Sequence, residues 1–127
     1  MFLDTSIVVE IFRNEQTSDL FKEIYEYIND EPIFISIIQL GEISDWCLKH
    51  HINPNKRIEK LKQIVNLVPL SETICMEGST IKHTIRKKGV KKFSLIDGMI
   101  LSSARSINQQ LLTRDKDFKS IKNVIVL

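Results

Sequence analysis

The sequence has little glycine, proline or cysteine: four, three and two residues among 127. Together with twenty isoleucines this predicts a dense core with few loops, and 43% hydrophobic against 27% charged residues excludes a disordered chain. No apolar run approaches the roughly 20 residues of a membrane-spanning helix, and the N-terminal MFLDTSIVVEIF lacks the basic leader of a signal peptide. Cys47 and Cys75 have no CxxC spacing, so we expect two reduced thiols in a cytoplasmic protein.

Charge of one sign is scarce in each half of the chain. Residues 1–47 contain only two bases against ten acids, and residues 48–127 contain only six acids against sixteen bases, although the net charge is only +2. Because the two halves can pack against each other, this asymmetry does not by itself establish a nucleic-acid partner. It permits a surface on which acids and bases meet.

Short apolar runs alternate with amphipathic stretches along the chain. The predicted strands are MFLD, PIFISI, LVPL, QQLLT and NVIVL. Helices are predicted from a cap at Thr5 or Ser6, over SDLFKEIYEYI as a continuation or a partner of that helix, from Ser36 to about Lys49, over KRIEKLKQIVNL, from Ser71 to about Lys88, and from Ser94 through Ile107. Because the strands are apolar on both faces and separated by helices, we expect a three-layer α/β/α sandwich with a short central parallel sheet, formed by residues 1–127 as a single domain.

Two acidic residues are predicted to lie at the carboxyl edge of this sheet, where ligands bind in α/β folds. Asp4 ends the first strand, and Asp115 follows the fourth in LLTRDKDF. For either residue alone, the simpler explanation is an N-cap of the next helix, because aspartate is a favoured cap.

Two further acids occupy apolar helix faces. Glu42 follows Ile38 by four residues and precedes Trp46 by four, and Asp97 is placed in the same way within FSLIDGMIL. A carboxylate on a core-facing stripe loses hydration and needs cations or hydrogen-bond donors in return. Neither stripe offers a cation at a matching position, so these two acids need another explanation.

Four carboxylates gathered at one place would repel one another unless a hard cation neutralised them. Mg²⁺ or Mn²⁺ suits an oxygen-only site, and such an ion beside a substrate phosphate positions and activates water for phosphodiester cleavage. The four acids therefore predict a metal-dependent phosphodiesterase.

Four segments, MFLDTSIVV, SIIQLGEI, FSLIDGMILSSA and LLTRDKDF, resemble the acidic motifs of PIN-domain proteins in order and spacing. The resemblance is closest to the small VapC-type ribonucleases, the toxins of toxin–antitoxin pairs. It implies a PIN-like fold and an endoribonuclease that cleaves RNA with Mg²⁺ or Mn²⁺. It also implies an antitoxin partner that blocks the acidic centre, and a homodimer of the nuclease.

The site residues follow from the resemblance, position by position. It implies that the catalytic acids are Asp4, Glu42, Asp97 and Asp115, that the metal is bound by Asp4, Asp97, Asp115 and Asp117, and that Ser6 and Thr113 form hydrogen bonds beside the metal.

A basic segment, RKKGVKK, comes shortly before the helix predicted to carry Asp97. Its cations are predicted to hold the RNA backbone and to offset the repulsion between the acids and a polyanion; they are Arg86, Lys87, Lys88, Lys91 and Lys92. The alternative is an ordinary helix C-terminus, which favours Lys and Arg and which Gly89 marks.

Three other interpretations stay open at this point. A phosphoacceptor receiver domain shares the length, the parallel sheet and the acidic pocket, but it has paired acids where this chain has Asp4 alone. A non-catalytic PIN module would bind RNA or act as a scaffold, and the intact acids argue against it. A zinc site at His50 and His51 has no cysteine at a suitable spacing, so an exposed helix end is the simpler explanation.

Overall fold

The computed structural model describes residues 1–13 and 18–127, and in these residues the chain forms five short strands, six α-helices and one 3₁₀ turn. The strands are β1 (Phe2–Leu3), β2 (Phe34–Ser36), β3 (Asn66–Val68), β4 (Leu111–Thr113) and β5 (Val124–Val126). The helices are α1 (Thr5–Arg13), α2 (Asp19–Ile28), α3 (Gln39–Lys49), α4 (Pro54–Lys62), α5 (Glu72–Lys87) and α6 (Leu95–Ser106), and the 3₁₀ turn is Lys116–Phe118. Over the same residues, no helix combines the length and the hydropathy needed to cross a bilayer.

All five strands are parallel and lie in the order β3-β2-β1-β4-β5. The chain extends the sheet from β1 outwards to β3 and then crosses back to add β4 and β5 on the other side. The strand order therefore reverses between β1 and β4, where Leu3 is in register with Leu112. Because ligands bind beyond the carboxyl ends of strands at such a switch point, the segments that follow Leu3 and Thr113 are placed for function.

Two apolar cores on opposite faces of the sheet confirm the predicted three-layer sandwich. Leu3 and Leu112 face a core that α1 to α4 cover, whereas Phe2 and Leu111 face a core that α5 and α6 cover. Successive residues of a strand point to opposite faces of the sheet. Because helices cover both faces, all four of these side chains are fully buried. This double coverage explains why the strands are apolar on both faces.

Three serines cap helices as their local sequence signals. Ser18, Ser71 and Ser94 each accept, through Oγ, a hydrogen bond from the backbone N–H three residues further on, at the start of α2, α5 and α6. The cap at Ser18 makes α2 a separate helix that contacts α1. Of the two alternatives predicted for SDLFKEIYEYI, the partner helix is therefore correct.

Two other predicted caps are wrong. Helix α1 already begins at Thr5, and the hydroxyls of Thr5 and Ser6 donate to carboxylates instead of capping. Ser36 is the last residue of β2, and α3 begins only at Gln39 without a side-chain cap. Ser36 Oγ accepts the backbone N–H of Ile38 at 3.4 Å, within the turn before α3, and the Gln39 side chain accepts the Ser36 backbone N–H at 2.7 Å.

The helical prediction over KRIEKLKQIVNL is wrong in its last five residues. Helix α4 ends at Lys62. Asn66 begins β3, and its backbone N–H donates at 2.8 Å to the carbonyl oxygen of Ile33, the residue before β2. Sheet pairing therefore overrides the helical periodicity. The strand predicted as LVPL is shifted and ends at Val68, because Pro69 has no N–H for the ladder. Each of the other four strands lies within its predicted run.

Helix α6 lies against α5 at two glycines. A Cβ atom on Gly98 would come within 2.2 Å of the carbonyl oxygen of Gly78, and one on Gly78 would come within 2.7 Å of the Met99 side chain. The close approach is possible only because neither residue has a side chain. It fixes the position of the helix turn that carries Asp97.

Candidate functional site

Four of the predicted acids come together beyond the carboxyl ends of the strands. Asp4 follows β1, Glu42 lies in the first turn of α3, Asp97 lies in the first turn of α6, and Asp115 follows β4. Their charges act on one another: Asp4 and Asp97 raise the pKa of Glu42, and Asp4 and Asp115 raise the pKa of Asp97. These four carboxyl groups therefore form an acidic centre at the switch point of the sheet.

Asp4 is buried, with 6% of its surface exposed, and two hydroxyls hold one of its oxygens. Ser6 Oγ donates to Oδ2 at 2.6 Å, and Thr113 Oγ1 donates to the same atom at 2.7 Å. The backbone N–H of Arg114 donates to Ser6 Oγ at 3.0 Å and that of Asp115 donates to Thr113 Oγ1 at 3.0 Å, so each hydroxyl proton is left for Asp4. Ser6 and Thr113 thus hold Asp4, one of the acids that the resemblance implies as a metal ligand.

Glu42 is half-buried and is held by Thr5, whose Oγ1 donates to Glu42 Oε1 at 2.7 Å. Burial is the largest cause that raises the pKa of Glu42, and the two neighbouring carboxylates raise it further. The hydrogen bond from Thr5 lowers it, because a donor stabilises the ionised form.

Asp97 is also half-buried and takes part in a capping box with Ser94. Burial raises the pKa of Asp97 most, the two hydrogen bonds with Ser94 lower it, and the charges of Asp4 and Asp115 raise it again. The net direction is upward despite the cap. Holding this carboxylate ionised in the metal-free chain therefore costs free energy.

Asp115 begins the 3₁₀ turn, because its Oδ1 accepts the backbone N–H of Asp117 at 2.9 Å. The capping explanation is therefore correct for Asp115, and the negative charge of the same residue also raises the pKa of Asp97. Asp117 is not among the charges that raise the pKa of Asp97 or Glu42. Its side chain lines an open groove of about 500 Å³ between α5 and residues 117–122, which Lys88 also lines.

The acidic centre suits a hard cation in charge and in donor type. In residues 1–13 and 18–127 no Lys or Arg forms an ion pair with any of its four carboxylates. Every atom that these four side chains offer to a metal is an oxygen, the ligand type that Mg²⁺ and Mn²⁺ prefer. No three His, Cys, Asp or Glu side chains in that part of the chain are close enough to hold a metal as they stand. A bound ion would therefore require these side chains to move closer to one another.

The histidine pair after α3 has a structural explanation. The ring of His50 stacks on Trp46 with centroids 4.6 Å apart, and its Nδ1 lies 2.9 Å from the Trp46 carbonyl oxygen. His51 is exposed with φ at 57°. These contacts favour the exposed helix end over a zinc site.

The basic segment contains one cation with a structural partner. Arg86 Nε donates to the carbonyl oxygen of Phe93 at 2.7 Å and ties the end of α5 to the start of α6. The four lysines of the segment are exposed, and Gly89 has a φ of 102°. The helix-end explanation is thus correct as local structure, and exposed lysines remain for the predicted contact with RNA.

Three contributors to the site escape sequence reasoning. Thr5 was predicted only as a cap, although it holds Glu42. Gln39 is fully buried, and its only sequence signal is a polar residue in the apolar run ISIIQL, one helix turn before Glu42. Arg114 forms an ion pair with the buried Glu10 and so ties α1 to the segment that carries Asp115; a distance of 104 residues hides this pair from local patterns.

Comparison with known proteins adds a family and a fold. A family model described as PIN domain matches residues 1–124. The toxin–antitoxin complex from Klebsiella pneumoniae is similar to the chain with a TM-score of 0.76 at 22% identity, covering 98% of this chain and 95% of that chain. VapBC2 from Rickettsia felis bound to a promoter DNA fragment has a TM-score of 0.73 at 21% identity, with 99% and 96% covered. VapBC-1 from nontypeable Haemophilus influenzae has a TM-score of 0.72 at 23% identity, with 99% and 95% covered. At these identities the likeness shows the fold, and the comparison with curated proteins gave no match.

Proposed function

Because the chain belongs to the PIN domain family, we propose that residues 1–127 form a single domain that acts as a metal-dependent endoribonuclease, with Mg²⁺ or Mn²⁺ at the acidic centre. One observation carries the proposal. Four carboxylates lie at the switch point of a parallel sheet, burial and neighbouring carboxylates raise the pKa values of Glu42 and Asp97, and no Lys or Arg in the described residues pairs with any of the four. A bound cation would offset the free energy that it costs to hold such carboxyl groups ionised side by side.

The residues divide the work by their surroundings. Asp4, Asp97 and Asp115 would hold the ion, and Ser6 and Thr113 would keep Asp4 in place by occupying its Oδ2. Asp117 is the further proposed ligand, and its side chain would first have to turn towards the acidic centre from the groove beside α5. When bound, the ion would lower the pKa of a water and stabilise charge on the scissile phosphate. Glu42 keeps one oxygen beyond the Thr5 contact, and its raised pKa suits it to orient that water or to hold a proton from it.

Cleavage of a mixed RNA pool tests the proposal directly. The purified chain should cut RNA in Mg²⁺ or Mn²⁺ and stop in EDTA, and Asp4→Asn should abolish cutting while the chain stays folded. A non-catalytic PIN module would retard RNA in a gel with or without metal and would never cut it. A receiver-like domain would do neither, and its characteristic acid pair is missing beside Asp4.

We further propose that the chain is the toxin of a toxin–antitoxin pair. The support is the fold shared with the toxin–antitoxin complex from Klebsiella pneumoniae and with the two VapBC structures. The physical opening is the anionic centre, which an antitoxin Arg or Lys could enter in place of metal. Isolation from the native host should yield a homodimer with a small, basic-tailed companion. A monomer that is isolated without such a companion would contradict both the antitoxin partner and the homodimer.

The proposed compartment is the cytoplasm. The chain has two cysteines, Cys47 and Cys75, and both are unpaired. Unpaired thiols are the usual state in a reducing compartment, where the proposed RNA substrate is also found.

A further inference from the structure

Gln39 is a completely buried polar side chain between the ends of β1 and β2, with 0% of its surface exposed. Its Oε1 accepts the backbone N–H of Ser36 at 2.7 Å, and its Nε2 donates to the carbonyl oxygen of Leu3 at 2.8 Å. The same Nε2 lies 3.3 Å from Thr5 Oγ1, to which it donates its second hydrogen. The three contacts join the residue before Asp4, the end of β2 and the first turn of α1.

The polarity of these contacts leaves one arrangement of hydrogens. A backbone N–H can only donate and a carbonyl can only accept, so the amide of Gln39 cannot be turned round. Its NH₂ group therefore faces Thr5, and the Thr5 oxygen is an acceptor on that side. The single proton of the Thr5 hydroxyl is left for Glu42 Oε1, at 2.7 Å.

We propose that Gln39 is a positioning residue of the acidic centre: it fixes the direction of the Thr5 hydroxyl, and Thr5 in turn holds the Glu42 carboxyl group in place. The inference rests on the proposed metal function. Within the described part of the chain, Thr5 provides the one hydrogen bond to Glu42. Without the amide, the Thr5 proton could rotate away, and Glu42 would lose its orientation while every acid remained present. The alternative role is a brace that only stabilises β1, β2 and α3.

Binding of Mn²⁺ to the full chain separates the two roles, because it needs neither RNA nor turnover. Gln39→Met keeps the length and removes the polarity, Thr5→Val keeps the shape and removes the hydroxyl, and Thr5→Ser keeps the hydroxyl. Calorimetry should show about tenfold weaker Mn²⁺ binding for Gln39→Met and for Thr5→Val. In both variants the Glu42 carboxyl group beside the ion loses its orientation, and loss of a group that supports a metal site from outside its ligands usually costs about 10–100-fold in affinity. Thr5→Ser should bind as the parent does, and so should the matched control Gln63→Met, which changes an exposed glutamine at the end of α4.

The double variant decides whether Gln39 acts through Thr5. In a Thr5→Val background, Gln39→Met should cause no further loss of Mn²⁺ affinity, although it should lower the urea midpoint in both backgrounds. An equal loss of affinity in both backgrounds would show that Gln39 does not act through Thr5. A lower urea midpoint with unchanged Mn²⁺ affinity would leave Gln39 as a brace only.

A second variant covers the case in which Gln39→Met does not fold. Gln39→Glu keeps the volume and the acceptor for Ser36. Because its second oxygen would lie against the Leu3 carbonyl oxygen, the buried carboxyl group should be protonated and give its one proton to Leu3, so that no donor is left for Thr5. Weaker Mn²⁺ binding by Gln39→Glu supports the proposal, and unchanged or tighter binding overturns it. A parent chain that binds no Mn²⁺ would refute the metal function and this inference with it, whereas a binding parent with equally tight variants would refute the inference alone.

Discussion

Asp97 and Ser94 cap the start of α6 reciprocally. The Ser94 backbone N–H donates to Asp97 Oδ2 at 2.9 Å, and the Asp97 backbone N–H donates to Ser94 Oγ at 3.0 Å. This capping box holds the carboxylate by one oxygen and leaves Oδ1 for the acidic centre. Asp97 therefore starts its helix and contributes a charge to the site at the same time.

The substitution Asp97→Asn is expected to remove activity and to preserve the fold. The amide oxygen of asparagine can still accept the Ser94 N–H, so the cap survives while the charge is lost. Because partners of metal ligands alone are worth about 10–100-fold, loss of a ligand should slow RNA cleavage by at least about 100-fold. The measurement is the initial rate of RNA cleavage in Mg²⁺ or Mn²⁺, with circular dichroism as the check on folding.

The control for this substitution is Asp45→Asn. Asp45 is an exposed partner of Lys49 at 3.2 Å, so its removal should leave cleavage unchanged and alter stability by less than about 1 kcal/mol. If Asp97→Asn cut RNA at the parent's rate, the acidic centre would be assigned wrongly.

The pH dependence of stability should reveal the repulsion within the centre. The pKa of Glu42 is raised from its ordinary value of 4.5, mainly by burial. A carboxyl group with a higher pKa in the folded chain contributes stability below its unfolded pKa, and this contribution is lost as pH rises through the folded value. In EDTA, the stability of the parent should therefore fall relative to Glu42→Gln as pH rises above about 4.5.

Urea unfolding of both chains at several pH values measures this difference. At a pH above the raised pKa of Glu42, added Mn²⁺ should increase the free energy of unfolding of the parent more than that of Glu42→Gln. The reason is that the ion offsets a repulsion between carboxylates that only the parent retains in full. If the difference in the free energy of unfolding between the two chains stayed constant with pH, ionisation of Glu42 would not cost the folded chain any stability.

Local patterns in the sequence predict most of the elements and the position of four acids beyond the carboxyl ends of the strands. The apolar runs find the strands because a parallel sheet is buried on both faces, and Ser71 and Ser94 are correct caps because a cap contacts only its own helix. The acids are placed correctly because the carboxyl ends of parallel strands share one edge. Asp4 and Asp115 needed nothing beyond their position after an apolar run.

The long-range partners of the polar side chains could not be predicted from local patterns. Thr5 has the sequence of a helix cap, but it donates to Glu42, which only the fold brings near, whereas Ser6 donates to Asp4 two residues before it. Thr113 reaches Asp4 across 109 positions, and Gln39 reaches Leu3 across 36. Such contacts depend on strand order, which no local pattern contains.

Replacement of Gly98 should disturb the helix that carries Asp97. The new Cβ of Gly98→Ala would lie 2.2 Å from the Gly78 carbonyl oxygen, so α5 and α6 must separate. We expect a loss of roughly 1–3 kcal/mol in the free energy of unfolding, the usual cost of overpacking, together with slower cleavage. Urea unfolding and the cleavage rate measure the two effects.

Gly41→Ala is the matched control. No atom lies within 4 Å of the Cβ position at Gly41, which is exposed in α3, so alanine should stabilise the chain by up to about 1 kcal/mol. Equal stability of Gly98→Ala and the parent would show that the two helices can separate at no cost.

The exposed lysines of the basic segment should carry part of the affinity for RNA. Lys91 and Lys92 lie in the turn that leads into α6, only a few residues before Asp97, and neither forms an ion pair with the described residues. Four acids at one place would repel a polyanion, and adjacent cations offset that repulsion. Replacing both lysines with alanine should therefore weaken RNA binding and reduce the slope of log affinity against log salt by about one to two units. The reason is that each phosphate contact releases about one counterion when it forms, and the variant forms up to two contacts fewer.

This prediction is measured by titrating RNA in EDTA at several salt concentrations, so that binding is observed without cleavage. The control is the double replacement of Lys60 and Lys62 by alanine, which removes two exposed lysines from α4, a helix that carries none of the four acids. It should leave the affinity and the salt slope unchanged, and Mn²⁺ should bind both double variants as it binds the parent. If replacing Lys91 and Lys92 had no more effect than the control, the segment would serve only as the end of α5, and the RNA would reach the acids by another surface.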